Sequence, residues 1–285
     1  VCGGLAARKP GRLMRHKGRF PALVLAGACL SVPLLVLLAA VMGGQDGHAI
    51  DLDAVLHAMS TAHLLGTDAL GRDVLARLAE GLQLSLMVGV VVVLCGGMVG
   101  ISIGMLAGWA GGWLDATLMR FADIVLSFPG ILLAIALAAM LGPGVDNLVM
   151  ALVAVGWVGF ARLARAQVLS LKSVPFVEAA IANGSGVPYI AIRHLLPNIA
   201  APLLIEASFG LAAVIIGEAG LSFLGVGVQP PDASLGTMIR EGSRLMLVSP
   251  ALVIWPGLVL FSLVMAVNLL GDALRDKLDV RMESR

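Results

Sequence analysis

Three acidic side chains in apolar surroundings are the first residues that could do chemistry: Asp123, Glu206 and Glu218. A carboxylate facing lipid at mid-depth costs about 2.5–3.5 kcal/mol, so each must face the inside of a bundle, a partner or water. Glu218 has Ser222 one helical turn on, at i+4 on the same face. Two readings of that pair follow: a carboxylate lining a translocation pathway or gate, or a buried hydrogen-bonding tie to a neighbouring helix. Glu206 carries the same two readings, with a cytoplasmic-side arginine as a further partner. Enzymatic signatures are wanting. No G-x-x-x-x-G-K-[ST] loop precedes Lys9, Lys17, Lys172 or Lys277, which excludes P-loop binding of ATP, and neither H-E-x-x-H nor G-x-S-x-G occurs. His16, His48, His57, His63 and His194 lack ligand spacing. Cys2, Cys29 and Cys95 supply neither a C-x-x-C pair nor a disulfide framework. The chain reads as no enzyme, with no catalytic residue and no metal or cofactor of its own.

A second constellation lies in the connection from Gln167 to Pro197, too long for a tight turn between neighbouring helices. Pro175 is suited to open a helix, Glu178 then sits favourably against the positive end of its dipole, and Ala179 and Ala180 are strong helix formers of little bulk. Gly184 and Gly186 let the chain leave with positive φ. The expected product is a short helix with a small-residue face, Phe176 and Ile181 supplying apolar anchors for the groove of another protein.

The elements that must carry these residues are membrane helices. Of 285 residues, 59% are hydrophobic and 13% charged, with a mean hydropathy of +0.98; soluble domains run at roughly 45–50% and about 25%. Six segments are long and apolar enough to span: Phe20 to Met42, Leu84 to Gly108, Phe121 to Leu141, Asn147 to Ala166, Asn198 to Leu221 and Ala251 to Leu270. The first exceeds the roughly 7–15-residue apolar core of a secretory signal and reads as an uncleaved helix. The fold class is therefore all-α, a polytopic membrane protein of six transmembrane helices. Short loops rich in Lys and Arg stay in the cytoplasm. Arg8, Lys9, Arg12, Arg15, Lys17 and Arg19 precede the first span, Arg162, Arg165, Lys172 and Arg193 flank the fourth connection, and Arg275, Lys277, Arg281 and Arg285 follow the last. Both termini, and the connection holding Glu178, are then cytoplasmic.

The resulting order is a basic N-terminus (1–19), a first transmembrane helix (20–42), an extracytoplasmic segment (43–83), a core of five helices (84–272) that includes the loop 167–197, and a cytoplasmic C-terminus (273–285). Within 43–83, Thr67 or Asp68 is placed to cap an amphipathic helix with Leu70, Val74, Leu75 and Leu78 on one face and Arg72, Asp73, Arg77 and Glu80 elsewhere, lying on the membrane or the rim of the bundle. Gly96, Gly97, Gly100 and Gly104 make a small face on the second span, suited to close helix packing. The net charge of +1 suggests no nucleic-acid partner.

Glu178-Ala179-Ala180, then Gly184, His194 and Leu196-Pro197, resemble the EAA signature of ABC-importer permeases. Further stretches resemble the branch that carries dipeptides, oligopeptides or nickel: His63 to Asp68, Gly71 to Leu75, Arg193 to Asn198, Leu221 to Pro231 and Asn268 to Asp276. His194 before Leu-Pro fits that branch, whereas Gly184-Ser185-Gly186 departs from the family's usual Gly-Ala-Ser. The resemblance implies a type I ABC importer permease fold in the bacterial inner membrane and an ATPase-coupling loop made of Glu178, Ala179, Ala180, Gly184, His194, Leu196 and Pro197. It also implies partners: a second homologous permease, two ATP-binding subunits that use ATP and Mg, and an extracytoplasmic substrate-binding protein. The expected function is import of dipeptides or oligopeptides by alternating access. The alternatives are a nickel or metal-chelate importer of the same branch, an ion-coupled secondary transporter using the intramembrane acids, or a membrane scaffold without transport.

Overall fold

The computed structural model describes residues 19–44 and 46–283. Cys2, Arg8, Lys9, Arg12, Arg15, Lys17 and Arg285, and the side chains of Arg19 and Arg281, lie outside the described residues. The chain is helical, with no β-strand among the described residues. Helix α1 (Arg19–Gly43) is followed by an irregular outer segment, then by α2 (Val74–Ala110), α3 (Gly112–Leu126), α4 (Gly130–Leu141) and α5 (Val145–Leu171). Short helices α6 (Pro175–Ala182) and α7 (Val187–Ile190) lead through a π-helical turn, Ala191–Leu195, into α8 (Leu196–Leu224). A lateral helix α9 (Leu235–Ser243) precedes α10 (Ala251–Glu283).

Among the described residues four helices are long and apolar enough to cross a membrane, five if the α3–α4 pair counts as one span, and α1 adds a shorter apolar stretch, Gly27–Val41. Only 28–44% of the apolar window of each of the four is buried, so their remaining faces suit lipid rather than a protein core. The expected third span, Phe121 to Leu141, is not a single helix. It breaks at Ser127-Phe128-Pro129, where α3 and α4 meet at 85°. Proline disfavours the helical conformation in the residue before it and has no N–H to donate, so α3 stops and α4 restarts at Gly130.

The amphipathic outer helix is also corrected. Asp73, not Thr67 or Asp68, is the N-cap, its side chain accepting from the Ala76 N–H at 2.8 Å, and the helix it opens runs without interruption into the second span. The 37 residues of α2 rise about 55 Å, well beyond the roughly 30 Å apolar core of a bilayer. Its outer end packs into the bundle: Val74, Leu78 and Leu82 join Leu235 and Met238 of α9 and Val259 and Leu263 of α10 in one core.

Helices α2 and α5 make the most extensive pairing in the molecule. Gly100 and Gly104 permit it: a Cβ on Gly100 would overlap the Trp157 carbonyl oxygen, and one on Gly104 the Ala161 carbonyl oxygen. The small face read from the sequence is thus a backbone-to-backbone seam.

Candidate coupling surface and translocation cavity

Helix α6 forms where Pro175 occupies its first turn, after Val174 in extended conformation. It ends in a Schellman turn: Ser185 N–H donates to the Ala180 carbonyl at 3.1 Å and Gly184 N–H to that of Ile181 at 2.9 Å. Gly184 has φ +74, in the left-handed region, with open space around its missing side chain. Its glycine is therefore required by backbone conformation and not by crowding. Gly186 does not share this role; its φ is −68.

The inner face of α6 is anchored. Val177 and Ala180 are buried with Ala164 and Val168 of α5, Ile190 of α7, and Ile199 and Leu203 of α8. Ala180, 8% exposed, packs on this inner face. Glu178 and Ala179 point outward, as do Phe176, Ile181, Val187, Tyr189 and Ile192, the last 69% exposed. His194 joins the pieces, its ring 6.2 Å from Phe176 and 5.7 Å from Tyr189. Leu196 and Pro197 lie exposed in the first turn of α8. Pro197 cannot donate a helical hydrogen bond, and just ahead of it Leu196 N–H reaches back to the Ala191 carbonyl, closing the π-helical turn.

Ion pairs brace this end. Arg165 of α5 makes a forked contact with Asp115 of α3, Nε to Oδ1 at 2.5 Å and Nη2 to Oδ2 at 2.6 Å. Arg162 binds Asp123, which gives that acid its partner. Lys172 donates to the Trp109 carbonyl at 2.6 Å and lies over the indole ring, 5.4 Å from its centroid.

Glu206 and Glu218 share α8 but not an environment. Twelve residues apart, they stand about 18 Å along and about 120° around the helix from each other. Glu218 is fully buried. Its Oε2 accepts from Ser85 of α2 at 2.6 Å and its Oε1 from Ser222 at 2.9 Å. Ser222, itself buried, accepts in turn from the Val228 N–H at 3.2 Å. Glu218 and Ser222 thus tie α2 to α8 and to the chain that follows it, and neither lines the cavity that Glu206 faces. Glu206 faces a cavity of about 360 Å³ between α2, α4, α5 and α8. Its Oε1 sits against Gly159, where a Cβ would overlap it. The arginine partner allowed for Glu206 from the sequence is not formed among the described residues, since Arg162 and Arg165 are engaged with Asp123 and Asp115.

At the opposite end lies a charge cluster that sequence reasoning missed. Asp68 Oδ2 accepts from Arg72 Nε at 2.7 Å and Arg77 Nη1 at 2.6 Å, and Arg77 reaches Glu241 of α9 at 2.8 Å. Asp68, Arg72 and Arg77 are buried. His63 Nδ1 lies 2.9 Å from Asp73 Oδ2, closing the same turn. The i,i+4 spacing of Asp68 and Arg72 was the available signal.

Residues 100–284 match the family of binding-protein-dependent transport system inner membrane components. The glutathione transport system permease protein GsiD of Pectobacterium atrosepticum is 42% identical over 234 residues, 82% of this chain and 78% of that protein. The dipeptide transport system permease protein DppC of Alkalihalophilus pseudofirmus is 39% identical over 229 residues, 80% of this chain and 75% of that one. In fold, the chain is similar to one in an inward-facing structure of the MetNI methionine ABC transporter, with a TM-score of 0.54 and 21% identity, covering 70% of this chain and 95% of that one. The chain belongs to the family of binding-protein-dependent transport system inner membrane components. It is a multi-pass inner-membrane permease with the type I ABC importer fold, as the resemblance in its sequence implied.

Proposed function

We propose that this permease imports dipeptides or related small peptides, glutathione among them, driven by ATP hydrolysis in partner subunits that hold ATP and Mg. The exposed face of α6 carries the reading. It presents Glu178, Ala179, Phe176 and Ile181 outward on a helix whose other face is packed onto the ends of α5 and α8. Closure of two ATP-binding subunits would push that face, and the packed core behind it moves α5 and α8 as rigid levers, exchanging inward for outward opening. Gly184, His194, Leu196 and Pro197 fix the shape of this handle. Both termini and α6 lie in the cytoplasm on this reading, which the gathering of Arg162, Arg165, Lys172 and Arg193 near α6 supports. A second homologous permease completes the pathway that the Glu206 cavity lines in part, and an extracytoplasmic binding protein delivers solute.

The relatives' glutathione and dipeptide systems favour peptides over nickel as cargo. Reconstitution of the permease pair with its ATPases and binding protein in proteoliposomes tests the reading. Peptide uptake should require ATP and survive a proton ionophore. Uptake that persists without ATP and collapses with the ionophore would return the ion-coupled alternative.

A further inference from the structure

We infer that the Glu206 carboxylate binds the cationic amino end of the solute during passage, an inference that rests on the reading of its cavity as part of the pathway. The cavity, about 360 Å³, falls within the roughly 300–1,000 Å³ of small-molecule sites. Among the described residues Glu206 is the only ionisable one that lines it; the other lining groups are apolar side chains and glycines, including Gly130, Gly156, Gly159 and Gly210. Among the described residues the carboxylate has neither a hydrogen-bond nor an ion-pair partner, while Gly159 leaves the space its Oε1 occupies. Other acids of the bundle are treated differently: Asp115 and Asp123 have arginines, and Glu218 has two serines.

A lone carboxylate in an apolar cleft is complementary to a positive charge that arrives with its own apolar body. A primary ammonium fits: it donates three hydrogen bonds and carries the charge that Glu206 lacks. A bare divalent cation fits poorly, because it needs several protein ligands and the cavity supplies one carboxylate. The inferred ligand class is therefore an amine-bearing solute such as a peptide with a free N-terminus.

The assembled transporter in proteoliposomes, offered L-alanyl-L-alanine or reduced glutathione, tests this. Glu206→Gln should lower peptide moved per ATP hydrolysed by about tenfold or more, while Glu206→Asp stays within about threefold of the unaltered protein. In the unaltered complex, a membrane-permeant carbodiimide should join isotope-labelled peptide amine to Glu206 as an amide, detected by mass spectrometry and suppressed by excess unlabelled peptide. Lowered transport in Glu206→Gln with no amide at Glu206 overturns the inference and leaves the pathway reading standing. An unchanged ratio in Glu206→Gln overturns both, and so does an unaltered complex that imports neither peptide.

Discussion

At the α9 end of the bundle Asp68, Arg72, Arg77 and Glu241 satisfy one another's charges inside the chain, whereas at the α6 end Glu178, Phe176, Ile181 and Ile192 stand exposed. The first arrangement is self-sufficient: each member has a counter-charge within the chain, and removal of one weakens the pairing of its buried neighbours. The second is stable as a helix but presents apolar area to water, which is the mark of a surface awaiting a partner. The same distinction divides α8, where Glu218 is closed off by serines and Glu206 is left facing a cavity. Residue type separates none of these cases; the number of partners the chain itself supplies does.

Changes at the two ends should therefore fail in different ways. The largest effect is expected from Glu178→Lys, which reverses charge on the handle: uptake should fall by about a hundredfold, a coupling loss of roughly 3 kcal/mol, with protein content of the membrane unaltered. Immunoblots that show the variant missing from the membrane would merge the two ends and break the comparison. At the other end Arg77→Ala should destabilise by about 1.5–3 kcal/mol, because Asp68 keeps Arg72 but loses the second of its two buried counter-charges. Thermal unfolding in detergent would register it, and a melting temperature equal to that of the unaltered chain would mean the cluster is hydrated.

Gly104→Leu tests the seam that lies between these ends. Overpacking against the Ala161 carbonyl should cost about 1–3 kcal/mol or force α2 and α5 apart, again visible in thermal unfolding. Gly184→Val places a branched side chain at φ +74 and should cost about 1–2 kcal/mol in the loop, while Gly184→Asn costs less; equal uptake by the two variants would remove the backbone explanation. The smallest effect is expected from Glu218→Gln. It keeps the shape and part of the serine hydrogen bonding, so stability should fall by about 1 kcal/mol and transport should stay near normal. Transport abolished with stability intact would assign Glu218 to the gate.

Where structure is decided by near neighbours, the sequence was sufficient. Pro175 and Gly184 bound α6 as capping chemistry requires, and the glycine spacing on α2 identified a close-packed face. The break in the third span was also legible in principle, in Ser127-Phe128-Pro129, but averaging hydropathy over a window conceals one proline among apolar residues. What could not be read is pairing at a distance. Arg77 meets Glu241 across 164 residues and Glu218 meets Ser85 across 133, so periodicity gave the arginines no partner and could not separate Glu218 from Glu206. The ion pairs of Arg162 and Arg165 with Asp123 and Asp115 escaped for the same reason.

The account stands on α6 being a cytosolic handle held by an ATPase. In a chain whose native cysteines are replaced, Ala179→Cys should react with a membrane-impermeant maleimide only from the cytoplasmic side of vesicles, and the assembled ATPase subunits should shield it. Reaction from the outer side, or reaction undiminished by the ATPases, would contradict it.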